Sequence, residues 1–147
     1  MRNDDGAGLA AVHLWQKTYS GNLKSPPITV EQVELPGLGL LNLMEGFDAA
    51  ILVDAVQNDA PSGTVYKLNE SDLLGFDKSH QTAHGWGVVE TLQLGRKLGL
   101  DLPSQILLIG IVGEDFSPGN TLSPSVRSAL DRIARVIEDS AKIILHH

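Results

Sequence analysis

The chain has 147 residues, of which 42% are hydrophobic, and it carries a formal net charge of −7 and no cysteine. This length suits one domain over residues 1–147, and the absence of cysteine excludes disulfides, thiolate metal ligands and thiol nucleophiles. The cations are scattered, so we expect no nucleic-acid partner. No apolar run approaches the roughly 18 residues of a membrane span, so we expect no membrane partner. No signal peptide is recognised, so we expect a cytoplasmic protein.

The N-terminal third predicts two helices and a strand. Leu9, Val12, Trp15 and Tyr19 recur at helical spacing, which predicts a helix from about Gly8 to Tyr19. Ile28 to Glu34 alternates apolar with polar residues and predicts a short strand. Leu40 to Met44 predicts a short helix that ends near Gly46.

The stretch from Phe47 to Ala55 organises the chain. It is an unbroken apolar run of strand length, rich in β-branched residues, which is typical of a parallel strand buried on both faces. The run ends in Asp54. In open α/β sheets ligands bind just beyond the carboxyl ends of the strands, so Asp54 is predicted to lie at a ligand-binding or catalytic site.

The remaining residues predict the rest of a layered fold. Thr64–Leu68 alternates like an edge strand, Asn69–Ala83 is predicted to be a loop, and a helix starts around His84 and is closed by Gly99. A second buried strand, Gln105–Val112, and a long amphipathic helix beginning at Ser123 and Pro124 follow. On the polar face of that helix, ion pairs are predicted among residues four apart: Arg127, Asp131, Arg135 and Asp139. Together these elements predict an α/β three-layer sandwich: a mostly parallel sheet with an antiparallel edge strand, flanked by helices.

Three residues are candidates for a site, and each also has a structural interpretation. Asp5 precedes a helix and suits a helix cap. Asp54 must be hydrogen-bonded, paired or metal-bound, because a bare buried carboxylate is costly. His84 starts a helix, where the positive dipole end keeps the imidazole neutral, but it also suits a cap or a surface histidine. His80 is a competing candidate.

Taken together, Asp5, Asp54 and His84 are an oxygen and nitrogen ligand set that suits nickel, zinc, manganese or iron and leaves coordination positions open. The sequence has no Gly-x-Ser-x-Gly, Ser-x-x-Lys or His-Glu-x-x-His motif. Gly6-x-Gly8-x-x-Ala11 has the dinucleotide-binding spacing, but no strand precedes it and Asp4 and Asp5 would repel phosphates.

Several segments in order resemble the hydrogenase maturation proteases, which trim the C-terminus of the nickel–iron hydrogenase large subunit after nickel insertion. The similar segments are Asn3-Asp4-Asp5-Gly6-Ala7-Gly8, Phe47 to Val56, Pro61-Ser62-Gly63-Thr64-Val65, Ser79 to Val88, Leu108-Ile109-Gly110-Ile111 and Leu122-Ser123-Pro124. In the family, a first strand ending in Gly-Asn precedes the acidic turn. Met1 falls where that strand should just have ended, so we expect the chain to be N-terminally truncated relative to the family.

The resemblance implies that the metal-contacting residues are Asp5, Asp54 and His84, with His84 preferred to His80 because it begins a His-Gly-Trp-Gly-Val segment. It further implies an endopeptidase that acts on a large-subunit precursor and contacts nickel already seated in that substrate. Two alternatives remain: a non-proteolytic assembly chaperone that binds the nickel-loaded precursor, and a germination-type protease of related fold.

Overall fold

The structure is a computed structural model that describes residues 6–19, 28–31, 38–57, 59–72, 81–82, 88–115, 119 and 121–145. The described residues contain four helices and four strands. The helices are α1 (Ala7–Tyr19), α2 (Leu38–Met44), α3 (Val88–Lys97) and α4 (Pro124–Leu145). The strands are β1 (Ala49–Gln57), β2 (Val65–Asn69), β3 (Gln81–Thr82) and β4 (Gln105–Val112).

The strands form one mixed sheet in the order β2-β4-β1-β3. At its centre β1 and β4 run parallel, from the Ala49–Gln105 pair to the Val56–Val112 pair. The outer strands are both antiparallel: β2 pairs with β4, and β3 pairs with the last two residues of β1. The predicted α/β sandwich with an antiparallel edge strand is therefore confirmed, and β3 is an additional short antiparallel strand.

Helices cover both faces of this sheet and divide the core in two. Alternate residues of β4 point to opposite faces, as the two-residue period of a strand requires. Ile109 and Ile111 pack with α1 and α4, whereas Ile106 and Leu108 pack with α2 and α3. Helices cover β4 on both faces, which explains why apolar residues follow one another along this strand without alternating with polar ones.

The central strand β1 differs from its prediction in position and in burial. It runs from Ala49 to Gln57, two residues further along the chain than expected. Residues 49–54 are only partly buried, and full burial is reached at Ala55 and Val56. On the edge of β1 opposite β4, β3 is the only neighbouring strand among the described residues, and it pairs only with the last two residues of β1. The expected burial on both faces is thus limited to the end of the strand.

Two further predictions differ from the structure where it describes them. Residues Ile28–Glu31 form no strand, and Ile28 and Val30 are both 38% exposed; the rest of the predicted strand, 32–34, lies outside the described residues. The predicted loop from Asn69 to Ala83 contains the end of β2, a helical turn at 70–72 and β3. The turn is capped reciprocally, since Asp72 N–H donates to Asn69 Oδ1 at 2.8 Å and Asn69 N–H donates to Asp72 Oδ2 at 3.1 Å.

The ends of the long helices follow the sequence signals. Gly99 has φ +77, and the N–H groups of Gly99 and Leu100 donate to the carbonyls of Arg96 and Gly95, both at 3.1 Å. This is the Schellman arrangement that a glycine after a helix predicts. At the start of α4, Arg127 N–H donates to the carbonyl of buried Ser123 at 2.9 Å, so Ser123 is the cap residue.

A buried hydrogen bond joins α1 to α4. Trp15 Nε1 donates to Glu138 Oε1 at 3.1 Å, and both residues are almost fully buried. Glu138 Oε2 has no hydrogen-bond partner in the part of the chain that the structure describes, and the Lys142 ammonium is 3.7 Å away from it. The indole is therefore the hydrogen-bond donor for this carboxylate and fixes how α1 lies on α4.

We expect Trp15→Phe to lower the free energy of unfolding by about 1–3 kcal/mol, because it leaves a buried carboxylate without its donor. The double variant Trp15→Phe/Glu138→Met removes both polar partners and is expected to recover most of the loss. Urea denaturation followed by circular dichroism measures both effects. A double variant less stable than Trp15→Phe alone would show that the carboxylate is stabilised by something other than the indole.

Candidate active site at the end of strand β1

Asp54 is a half-buried residue near the carboxyl end of the central strand. Its neighbour across the parallel ladder is Gly110 of β4. The backbone N–H of Ala55 donates to Asp54 Oδ1 at 2.8 Å, which holds the carboxylate in one orientation. By strand alternation Asp54 lies on the same face of β1 as Leu52. An oriented, partly solvated carboxylate at this edge can accept a proton or bind a cation.

The first turn of α1 lies directly against this end of β1. Gly8 is buried, and a Cβ atom placed on it would be 2.5 Å from the Val53 carbonyl oxygen and 3.3 Å from Asp54 Cα. Only a residue without a side chain allows the helix to approach the strand backbone so closely. The glycine therefore sets the position of the start of α1 relative to Asp54.

Gly8→Ala is expected to lower the free energy of unfolding by about 1–3 kcal/mol, because the added methyl group collides with backbone rather than with a movable side chain. Gly39→Ala in α2 is the matched control, since nothing lies within 4 Å of the position of its Cβ. The control is expected to be neutral or to gain up to about 1 kcal/mol of helix propensity. Urea denaturation of both variants tests this, and equal stabilities would contradict the close approach of α1.

The short strand β3 reaches the same end of β1 from the other side. Val56 pairs with Thr82, and Gln57 pairs with Gln81, in an antiparallel register. Thr82 is followed two residues later in the sequence by His84. Of the segment that resembles the histidine motif, the structure describes Gln81 and Thr82, and Thr82 pairs with β1 two residues beyond Asp54.

Of the three predicted site residues, the structure describes Asp54. Asp5, His84 and the competing His80 lie outside the described residues, so their roles stay predictions. Within the described part of the chain no three His, Cys, Asp or Glu side chains are grouped so that they could hold a metal ion. Among the same residues no helix is long and apolar enough to cross a membrane.

The sequence did not indicate a polar cavity of about 240 Å³ between the turn before β2 and the first two turns of α4. Its lining includes Ser62, Gly63, Thr64, Ser125, Ser128 and Arg132. Ser62 and Ser125 are 63 residues apart in the chain, so only the folded structure brings their hydroxyls together. Serine and threonine in turns ordinarily indicate local hydrogen bonding, which gives no signal for a cavity.

Residues 35–140 match the family model described as hydrogenase maturation protease. This range contains Asp54 and His84. The hydrogenase expression/formation protein HupD of Thiocapsa roseopersicina is 28% identical over 139 residues, which cover 92% of this chain and 59% of HupD. The chain thus spans less than two thirds of the length of that relative.

Solved structures of the same kind share the fold. The NiFe hydrogenase maturation protease HybD from Thermococcus kodakarensis superposes with a TM-score of 0.74 at 24% identity, covering 96% of this chain and 92% of that one. The hydrogenase maturating endopeptidase HybD from Escherichia coli gives 0.75 at 20% identity, covering 96% and 85%. The sequence match and the shared fold agree, and the chain belongs to the hydrogenase maturation protease family, a family of processing endopeptidases.

Proposed function

We propose that this protein is an endopeptidase that removes the C-terminal extension of a nickel–iron hydrogenase large-subunit precursor after nickel insertion. Family membership supports the peptidase activity and the kind of substrate. The observation that carries the proposal for the site is that α1 packs against β1 at Val53 and Asp54 and β3 pairs with β1 at Val56 and Gln57, so both elements meet the end of β1.

Asp5, Asp54 and His84 are proposed to contact nickel that the substrate carries. The antiparallel register supports His84, because Thr82 pairs with Val56, which is two residues after Asp54, and His84 is two residues after Thr82 in the sequence. The close approach of Gly8 to Val53 and Asp54 supports Asp5, which stands three residues before Gly8 in the sequence. His80 has less support, because it is adjacent in the sequence to Gln81, whose partner Gln57 is three residues beyond Asp54.

Two carboxylates and an imidazole suit a transient contact to a metal whose other ligands come from the substrate. Such a set leaves coordination positions open, and nickel accepts imidazole and carboxylate ligands. The chain has no cysteine, so it offers no thiolate that would compete for the metal. By contacting the bound nickel, the enzyme distinguishes a nickel-loaded precursor from a nickel-free one.

In the proposed reaction a water oxygen adds to the carbonyl carbon of the scissile peptide bond, and the bond to the leaving nitrogen breaks as that nitrogen gains a proton. The water is activated either by the metal or by Asp54. The Ala55 N–H bond to Asp54 Oδ1 orients the carboxylate near the end of β1, which supports its proposed role as base or metal ligand.

Incubating the purified protein with nickel-loaded precursor tests the activity directly. Intact-mass measurement is expected to show a large subunit shortened at its C-terminus. Stable co-elution of the two proteins without shortening would instead support an assembly chaperone and overturn the protease.

A further inference from the structure

The cavity between the turn before β2 and helix α4, here called the Ser62–Arg132 cavity, presents fixed hydrogen-bonding groups. Ser125 and Ser62 hydroxyl oxygens are 2.6 Å apart and hydrogen-bonded. The Gly63 N–H donates to the Val112 carbonyl at 2.7 Å, and a Cβ on Gly63 would be 2.9 Å from the Ser125 carbonyl oxygen. The turn is therefore held rigidly against both the sheet and the helix.

Arg132 is the one cation of this cavity lining, and it has no acidic partner among the residues that the structure describes. One guanidinium nitrogen, Nη2, donates to the Gly63 carbonyl at 2.6 Å. A guanidinium has five N–H donors in a planar fork, so this bond orients the group and leaves the other donors available. An oriented arginine without a carboxylate is complementary to a carboxylate of a ligand, which it binds through two parallel hydrogen bonds.

A carboxylate of the protein itself lies next to the cavity, outside its lining, because Ser125 Oγ donates to Glu114 Oε1 at 3.4 Å. The Arg132 guanidinium reaches back along α4 to the Gly63 carbonyl, so the cation lies beside the turn rather than at a far end of the cavity.

The Ser62–Arg132 cavity shares an edge of the sheet with Asp54. Val112 joins the two places, because it pairs with Val56 on one side and exchanges backbone hydrogen bonds with Gly63 and Thr64 on the other. By strand alternation the Asp54 side chain lies on the face of the sheet covered by α2 and α3, and the cavity lies on the face covered by α4. A polypeptide that reaches both places therefore crosses this edge of the sheet.

We infer that the Ser62–Arg132 cavity is a carboxylate-binding subsite for the substrate polypeptide. The inference rests on the proposed function for the identity of the ligand. The carboxylate is either an acidic side chain or the C-terminus of the polypeptide, since both present the same two oxygens to Arg132.

Small peptides added to the full-length protein test the subsite by NMR. The probes are acetylated trialanine with a free carboxylate, the same peptide as its C-terminal amide, and an acetylated Ala-Glu-Ala amide. A carboxylate-bearing peptide is expected to shift the backbone resonances of Gly63, Thr64 and Ser125 saturably. The trialanine amide is expected to bind about tenfold more weakly or not at all, because it lacks the charge.

Arg132→Gln is expected to weaken binding of the carboxylate peptide about tenfold, whereas Arg135→Gln, on the same helix and equally exposed but outside the cavity lining, leaves it unchanged. A response to free trialanine alone assigns a C-terminal carboxylate, and a response to the Glu-containing amide alone assigns an acidic side chain. Equal binding of the trialanine amide, an equal effect of Arg135→Gln, or no shifts in the wild-type protein would overturn the subsite.

Cleavage of nickel-loaded precursor, measured in parallel, separates this inference from the proposed function. Cleavage by a wild-type protein that binds none of the peptides refutes only the subsite. Carboxylate binding by a protein that cleaves no precursor refutes only the peptidase function.

Discussion

Asp54→Asn is expected to abolish precursor processing, with a loss of about a thousandfold or more in rate. Asparagine has no ionisable oxygen, so it can neither take a proton from water nor bring negative charge to a metal. Its side-chain oxygen can still accept the 2.8 Å hydrogen bond from the Ala55 N–H, so the fold is expected to be unchanged. The measurement is the rate at which nickel-loaded precursor is shortened, alongside a thermal melt of each protein.

Asp59→Asn is the matched control, because Asp59 is an exposed acid just after the same strand. It is expected to process precursor at the wild-type rate. A fully active Asp54→Asn protein would rule out the role proposed for Asp54, and an unfolded one would show that the carboxylate is structural.

His84→Ala is expected to abolish processing and to leave the melting temperature unchanged, whereas His80→Ala is tolerated. The reason is position in the β3 register: His84 follows Thr82, the partner of Val56, and the imidazole is the proposed nitrogen ligand. Rates of precursor shortening for the two variants give a direct comparison. An active His84→Ala and an inactive His80→Ala would move the site to the segment before β3.

The elements that the sequence predicted correctly are those whose signal is local. β4 is a continuous apolar run, α4 has a cap and an apolar face, and Gly99 ends α3 with the left-handed conformation that glycine adopts readily. Each of these signals is contained within a few neighbouring residues. The boundary of β1 was displaced by two residues, because an apolar run does not show where pairing with β4 begins.

Contacts between distant residues could not be predicted in this way. The bond from Trp15 to Glu138 spans 123 residues, and the bond from Arg132 to Gly63 spans 69. β3 has two residues, which is too short for any periodicity to indicate it. Tertiary pairing alone creates these features.

Charge spacing on α4 also gave a misleading signal. The sequence predicts ion pairs among Arg127, Asp131, Arg135 and Asp139, which are four residues apart. All four are described, and none of them makes an ion pair; Arg127 instead donates to the Leu122 carbonyl at 3.3 Å. Exposed pairs of this kind gain little in water, so the side chains remain solvated.

For the site, the sequence predicted the place of Asp54 from a general property of α/β sheets, and the structure confirms that it lies near the carboxyl end of the central strand. The approach of Gly8 and the β3 register were not predicted, because both depend on backbone packing. That Asp5 and His84 contact the same metal ion as Asp54 stays a prediction.

The most direct test of nickel-dependent recognition is a paired incubation of the wild-type protein with nickel-loaded and nickel-free precursor, read by intact mass. Shortening of the loaded precursor alone is the expected result. Equal shortening of both forms would contradict the role of the metal and favour a protease that acts irrespective of nickel.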